Sequence, residues 1–384
     1  MKRVLYTITA ACCAVLVAAS PMQAVADNVS SAQSSSASSS TTQGPKIDAQ
    51  TAVLIDADSG QVLIDKDMNK QMYPASITKI MTGLIAAELG KAEDVVTVSS
   101  NIYKSQGKSV SCIGLEPGEQ ITQDSLMYTM FLASANDSAY ALAEHIAGSV
   151  DTFVGIMNYD AKQMGAKNTH FANPNGLPDT NNYTTAYDMA LITQKAIANS
   201  TELKYFGAVR HVVPADNVLK ACQYGTLVNM LRSDSMYYYP GIIAAKSGWI
   251  QMSGYTLVTA ARRNGRTLIC VQMGGTSWDG VYRGSIDLFN YGFSLPASAF
   301  TGTSSAVSAE SGKKATKSAA RMSAAVGSSA SGKSSKTIVI VAAAACAALC
   351  VFFILKKYAG SYGRFRRTHR RARSKYYGTD DNDA

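Results

Sequence analysis

Apolar and polar positions along this chain fall into blocks of different period. Ala52-Val53-Leu54-Ile55-Asp56 is a short apolar run, Ala57-Asp58-Ser59-Gly60 is turn-rich, and Gln61-Val62-Leu63-Ile64 is apolar again. Two short runs about a glycine-containing turn predict a β-hairpin. From Pro74 to Leu89 the period changes. Ile77, Ile80, Met81 and Leu84 recur at i, i+3, i+4 and i+7, the stripe of an amphipathic helix, and Pro74 suits its first turn. Asp124 to Gly148 and Tyr187 to Asn199 form two further helical zones. Strand-like runs return at Gly241 to Ile250, Gly254 to Ala261 and Thr267 to Met273, the last two joined through Asn264-Gly265, a strong hairpin signal. Tyr282 to Phe293 reads as a closing helix. Strands at both ends and helices between them predict an α+β fold. The terminal strands meet in one antiparallel sheet flanked by helices, and the helical middle forms a separate lobe.

The flanks carry different patterns. Met1 to Ala26 has a basic start (Lys2, Arg3), an apolar stretch from Val4 to Ala19, and Ala24-Val25-Ala26 as a small-residue cleavage site, which together predict a secretory signal. Residues 27–45 are rich in Ser and Thr, and residues 296–336 are of low complexity; both read as linkers. Residues 337–355 form an apolar run of 19 residues without a charge. As a helix it spans about 28 Å, close to the hydrocarbon core of a bilayer. Residues 356–384 follow with nine basic side chains, which by the positive-inside rule predicts a cytoplasmic tail. The folded unit is therefore residues 46–295, held outside the cell membrane by a single C-terminal span.

Composition sharpens this picture in two ways. The chain is 47% hydrophobic and 16% charged, enough apolar matter for a core. Its net charge of +9 invites a nucleic-acid reading, but the excess sits in the flanks. Residues 46–295 hold 19 basic and 22 acidic side chains, which excludes a basic nucleic-acid-binding surface of the usual kind. The exported unit keeps Cys112, Cys222 and Cys270, too few and too odd in number for a disulfide scaffold; one bridge or three thiols are both open.

Three short motifs carry the chemistry. Ser76-Ile77-Thr78-Lys79 puts a hydroxyl and an amine three positions apart, on one helix face. A serine is a poor nucleophile until a base takes its proton, and a lysine serves when its pKa is lowered. The spacing alone is weak, since Ser105-Gln106-Gly107-Lys108 and Ser311-Gly312-Lys313-Lys314 share it. Ser134-Ala135-Asn136 follows an apolar helical segment; a hydroxyl and an amide there suit a proton relay, or equally a helix cap. Lys246-Ser247-Gly248 lies on a strand, where the lysine suits a carboxylate and the glycine lets a ligand approach the backbone. The bland alternative is an edge-strand lysine that discourages aggregation.

The ordered triple S-x-x-K, S-x-N, K-[ST]-G resembles the penicillin-recognising serine peptidases. Pro74 to Thr82, Thr169-His170-Phe171-Ala172-Asn173-Pro174-Asn175-Gly176-Leu177 and Tyr183 to Ala190 are similar to the D-alanyl-D-alanine carboxypeptidases of low molecular mass. The resemblance implies a β-lactamase/DD-peptidase-like fold and no metal or other cofactor. It implies that Ser76 attacks the carbonyl between two D-alanines, Lys79 accepts its proton, Ser134 relays a proton to the leaving amine, and Asn136 positions Lys79 and the substrate. Lys246 and Ser247 would bind the terminal carboxylate, with Gly248 beside them, and the backbone N–H groups of Ser76 and Trp249 would form the oxyanion hole. The implied partners are peptidoglycan stem peptides and β-lactams, with the membrane as anchor.

Departures from the family are Ser247 for the commoner threonine, Trp249 for a smaller or imidazole side chain, and Asn182 where a histidine is frequent. Arg283 stands two positions out of register with the family arginine. A class A β-lactamase would need a glutamate in the loop after S-x-N, and residues 165–179 contain none. A non-catalytic penicillin sensor or wall-binding module on the same fold is the other rival. The 29-residue tail is short for a signalling domain.

Overall fold

The computed structural model describes residues 44–105 and 110–300. The signal segment, the apolar run at 337–355, the basic tail and most of both linkers lie outside these residues. Among the described residues no helix is long and apolar enough to cross a membrane.

The predicted hairpin is present as β1 (Thr51–Asp56) and β2 (Val62–Lys66). The three late strands are β7 (Ile242–Ile250), β8 (Gly254–Arg263) and β9 (Arg266–Gly275). The terminal strands do meet: the sheet runs β2-β1-β9-β8-β7, every pair antiparallel, with Val53 opposite Val271. This leaves β7, the strand of Lys246-Ser247-Gly248, as a free edge. Between the two halves of the sheet come α1 (Lys79–Leu89), α2 (Gln123–Leu132), α3 (Asn136–Ala147), α4 (Val150–Gln163), α5 (Ala186–Ala198) and α6 (Ser200–Phe206). Small hairpins, β3–β4 (Val95–Thr97, Gln120–Thr122) and β5–β6 (Arg210–Val213, Cys222–Gly225), edge this region. The closing helix α7 spans Trp278–Ser294.

Strand alternation sorts the core into two faces. Val53, Ile55, Val258, Ile269 and Val271 belong to the large cluster that also contains the helical residues. Leu54, Leu257, Leu268 and Cys270 point the other way, against Leu288 and Phe289 of α7. The helical region is thus not a separate lobe with its own core. It shares one apolar core with a face of the sheet, because α5 packs on β1, β8 and β9, α1 packs on α5, and α3 packs on α1.

Two predicted helices start or break differently. Ala75–Thr78 is a 3₁₀ turn, and the α-helix begins only at Lys79. The zone 124–148 is two helices, parted at Ala133-Ser134-Ala135, where Ser134 adopts a positive φ of 54°. Cys112, Cys222 and Cys270 are free thiols, which settles the disulfide alternatives.

One buried acid has a consequence for stability. Glu202 follows the Asn199 cap of α6, is fully buried, and neither carboxyl oxygen has a hydrogen-bond partner among the described residues. It occupies space left by Gly83 of α1, where an added Cβ would stand 3.0 Å from Glu202 Oε1. Burial first, and then the charge of Glu88, push its pKa well above 4.5. Below the unfolded value both states are protonated and no penalty arises. As pH rises above it, only the unfolded chain gains charge freely, so stability falls by up to ~1.4 kcal/mol per pH unit until the folded value is reached. Glu202→Gln is expected to remove this slope. Denaturant unfolding from pH 4 to 8 checks it; identical slopes in parent and variant would show that Glu202 ionises in the fold.

Candidate active site

The site forms where the 3₁₀ turn before α1, the break between α2 and α3, the loop 173–177 and the edge strand β7 converge. Ser76 is half-buried at that junction. Its predecessor Ala75 has a φ of 51°, and Ser134 shares this left-handed conformation; such backbone costs roughly 1–3 kcal/mol per residue and persists only where surroundings enforce it. Here the enforcement is visible. Gly176 (φ 82°) packs so tightly on the turn that an added Cβ would lie 1.9 Å from Ala75 O. Thr256 Oγ1 of β8 donates toward Pro74 O and Gly248 O, at 3.1 Å each, joining the turn to the edge strand.

Lys79 is fully buried, and its Nζ has three neighbours: Ser76 Oγ at 3.0 Å, Asn136 Oδ1 at 2.8 Å and the Asn175 carbonyl at 2.6 Å. Burial is the largest cause lowering its pKa well below 10.5, and repulsion from Lys246 is the second. A neutral amine has two N–H bonds and one lone pair. Two carbonyl-type acceptors take the N–H bonds, and the lone pair is left for the hydroxyl of Ser76. The S-x-x-K spacing therefore delivers its contact although the first turn is 3₁₀ rather than α.

Asn136 is held in turn. Its backbone N–H and its Nδ2 both donate to Ser111 O, at 2.8 and 3.0 Å. The next residue, Asp137, accepts from the N–H groups of Ile113, Gly114 and Leu115, fixing the loop that carries Ser111. Lys246 is 1% exposed and donates to Ser134 Oγ at 2.9 Å and Ser247 O at 2.7 Å. Burial lowers its pKa to about 7. It is no solvated edge guard.

Lys246 and Gly248 face the helices, two residues apart on one side of the strand. A Cβ on Gly248 would stand 2.7 Å from the Ser76 nitrogen, so any side chain there would push the edge strand off the nucleophile. The Ser247 carbonyl, turned to Lys246, points away from β8. By the two-residue repeat the main-chain groups of Ser247 and Trp249 share that open edge. Ser247 is 8% exposed, and Trp249 is 54% exposed with its ring on the α7 side of the sheet.

The structure thus gathers Ser76, Lys79, Ser134, Asn136, Lys246 and Gly248, with Ser247 and Trp249 along the adjoining edge. It does not recruit Arg283, which pairs with Asp279 at 2.8 Å on the exposed side of α7. Ser105 is buried and donates to Ile102 O, while its spaced partner Lys108 lies outside the described residues. Asn182 is buried with its Oδ1 accepting from Ala172 N, and His170 bridges to the Asn181 carbonyl, a loop contact. Sequence reasoning missed the Asn175 carbonyl and the Asp137 anchor. The turn chemistry of Asn173-Pro174-Asn175-Gly176 was the available signal for the first; a backbone carbonyl leaves none of its own.

The sequence profile described as D-alanyl-D-alanine carboxypeptidase matches residues 38–277. The D-alanyl-D-alanine carboxypeptidase DacF of Bacillus subtilis is 36% identical over 235 residues, 60% of this chain and 58% of that protein, so the chain spans less than two thirds of that relative's length. The crystal structure of D-alanyl-D-alanine carboxypeptidase from Mycobacterium tuberculosis H37Rv superposes with a TM-score of 0.61 at 31% identity, covering 67% of this chain and 96% of that one. A mutant of a Streptomyces DD-transpeptidase gives 0.61 at 28% identity, covering 65% and 100%. Motif order, site geometry and profile agree, and the chain belongs to the D-alanyl-D-alanine carboxypeptidase family.

Proposed function

We propose that this protein is a serine-type D-Ala-D-Ala carboxypeptidase of the cell-wall side, secreted through its N-terminal signal and tethered by residues 337–355. It trims peptidoglycan stem peptides and is acylated by penicillins. The observation that carries this reading is the contact of a buried, charge-poor Lys79 amine with Ser76 Oγ at 3.0 Å, its two hydrogens held by Asn136 and Asn175.

The substrate's terminal carboxylate sits against Lys246 and Ser247, and its chain lies along the free edge of β7 as an added strand. The scissile carbonyl oxygen faces the N–H groups of Ser76 and Trp249, which stabilise the charge that develops there. Ser76 Oγ bonds to the carbonyl carbon as its proton passes to Lys79 Nζ. The proton that Lys79 has taken is passed on through Ser134, whose oxygen accepts from Lys246, to the leaving D-alanine nitrogen, which leaves Lys79 neutral again. Water then attacks the acyl-enzyme, again with Lys79 as base, and regenerates Ser76. The lack of a glutamate in residues 165–179 favours this over a β-lactamase.

D-alanine release from a stem pentapeptide tests the proposal, and its pH profile adds a signature. Lys246 loses its proton near pH 7 in the free protein, so carboxylate recognition weakens above that value. Bound carboxylate favours the protonated form, so kcat/KM falls on the alkaline side while kcat is much less affected. Release of L-alanine from an L-Ala-terminated analogue at equal rate, or no release from either peptide, would contradict the proposal.

A further inference from the structure

Proton transfer to Lys79 depends on which way its amine points, and the loop that sets this is fastened by a residue outside the three motifs. Thr82 lies three positions after Lys79 on α1, on the same side of the helix, and is fully buried. A threonine inside a helix commonly returns its hydroxyl to a carbonyl of the preceding turn. Thr82 Oγ1 instead donates across to Pro174 O at 2.5 Å, and the next carbonyl, Asn175 O, accepts from Lys79 Nζ at 2.6 Å. In an extended chain successive carbonyls point opposite ways. Here α1 takes two in a row, so the loop is turned at Pro174-Asn175 to serve both. Thr78, buried beside Gly176, has no hydrogen-bond partner for its hydroxyl among the described residues, so it does not share the task.

Other bonds shape this loop without fixing its distance from the amine. Gly176 N donates to Asn173 Oδ1 at 2.7 Å, Asn173 Nδ2 to Leu177 O at 3.0 Å, and Leu177 N to Asn175 Oδ1 at 3.1 Å, all within the loop. Further back, Asn158 of α4 clasps Phe171, accepting from its N–H at 2.7 Å and donating to its carbonyl at 2.8 Å. Pro174 and Asn175 are buried between these two supports, and there the Thr82 hydroxyl ties the loop to the helix that carries the base.

The consequence lies in the two N–H bonds and one lone pair of a neutral amine. With Asn136 Oδ1 and Asn175 O as acceptors, the lone pair faces Ser76 Oγ. When the Asn175 carbonyl draws back, rotation about the Cε–Nζ bond lets an N–H point at Ser76 Oγ, and the amine then donates to the hydroxyl it has to deprotonate. On the reading given under Proposed function, we propose that Thr82 is a positioning residue for acylation: its hydroxyl holds the 173–177 loop so that the Asn175 carbonyl keeps the Lys79 lone pair on Ser76.

Thr82→Val removes the hydroxyl and keeps the shape, whereas Thr82→Ser keeps the hydroxyl. Single-turnover acylation of the full chain over a range of penicillin concentrations separates the binding constant from the acylation rate constant. Thr82→Val is expected to lower the rate constant roughly ten- to a hundredfold, the scale on which a small misplacement of a reacting group acts. The binding constant should not change, because the carboxylate clamp of Lys246 and Ser247 stands on another element, and Thr82→Ser should acylate at the parent rate. Thermal unfolding is read beside each variant; if Thr82→Val does not fold, Thr82→Ala, which also lacks the hydroxyl and asks for less space, is judged by the same criteria. A folded hydroxyl-less variant with the parent rate constant, a loss that Thr82→Ser shares, or a loss confined to the binding constant overturns the proposal. A parent that forms no penicillin adduct overturns the proposed function and this role with it, whereas any of those three results on an acylating parent overturns this role alone.

Discussion

Ser76→Ala is expected to lower D-alanine release by about 10⁴-fold or more while leaving the fold intact. The side chain is half-buried and hydrogen-bonded to Lys79 Nζ, so little packing is lost with the hydroxyl. Lys79 would keep Asn136 and Asn175 as acceptors. What goes is the atom that forms the acyl bond. The Trp249 N–H and the carboxylate clamp would remain, so substrate binding should persist in the variant. A single-turnover assay with the stem pentapeptide reads this, and substantial D-alanine release would place the nucleophile elsewhere.

Lys79→Arg is expected to slow acylation by about 10³-fold or more. A guanidinium stays protonated throughout the accessible pH range and cannot take the serine proton. The parent amine can, because burial and the neighbouring Lys246 both disfavour its charge. The replacement is also larger in a fully enclosed position, so thermal unfolding must be measured beside acylation. A folded variant that acylates at the parent rate would show that another group is the base. One that unfolds would be replaced by Lys79→Gln, which also lacks a base but fits the same space more closely.

Legibility in the sequence followed the range of the interactions. The hairpin and the strands after Gly241 were readable because apolar runs alternate with turn residues. The pairing of Ser76 with Lys79 was readable because three residues on a helical turn put two side chains together by local geometry alone. Elsewhere local pattern fails. In α2 every residue from Leu126 to Leu132 is buried, so the apolar stripe that marks a surface helix is absent and its end at Ala133 goes unannounced. Nothing in Ser134 itself signals its positive φ, which occurs where α2 gives way to α3. The strands Val95–Thr97 and Gln120–Thr122 are three residues each, too short to show a period. In α4 the apolar face is interrupted by Asn158 and Asp160, and Asp160 is buried, which blurs its helical stripe.

The site was legible as a set of motifs but not as an electrostatic arrangement. Burial is the larger cause that lowers the Lys79 pKa and repulsion from Lys246 the second, and both are properties of the assembled fold. Asp137 stabilises three backbone N–H groups of residues 113–115 and so holds Ser111 under Asn136, a chain of support running through backbone atoms. Trp249 was visible as a departure, but its partners Tyr255 and Trp278 come from other elements and meet it only when β8 and α7 pack beside the edge strand.

The most direct test of the central claim is the intact mass of the purified protein after exposure to a penicillin, beside Ser76→Ala. The account predicts a stable one-to-one adduct on the parent and none on the variant, with the modified peptide containing Ser76. An unmodified parent that is demonstrably folded, or an adduct of equal yield on Ser76→Ala, would contradict it.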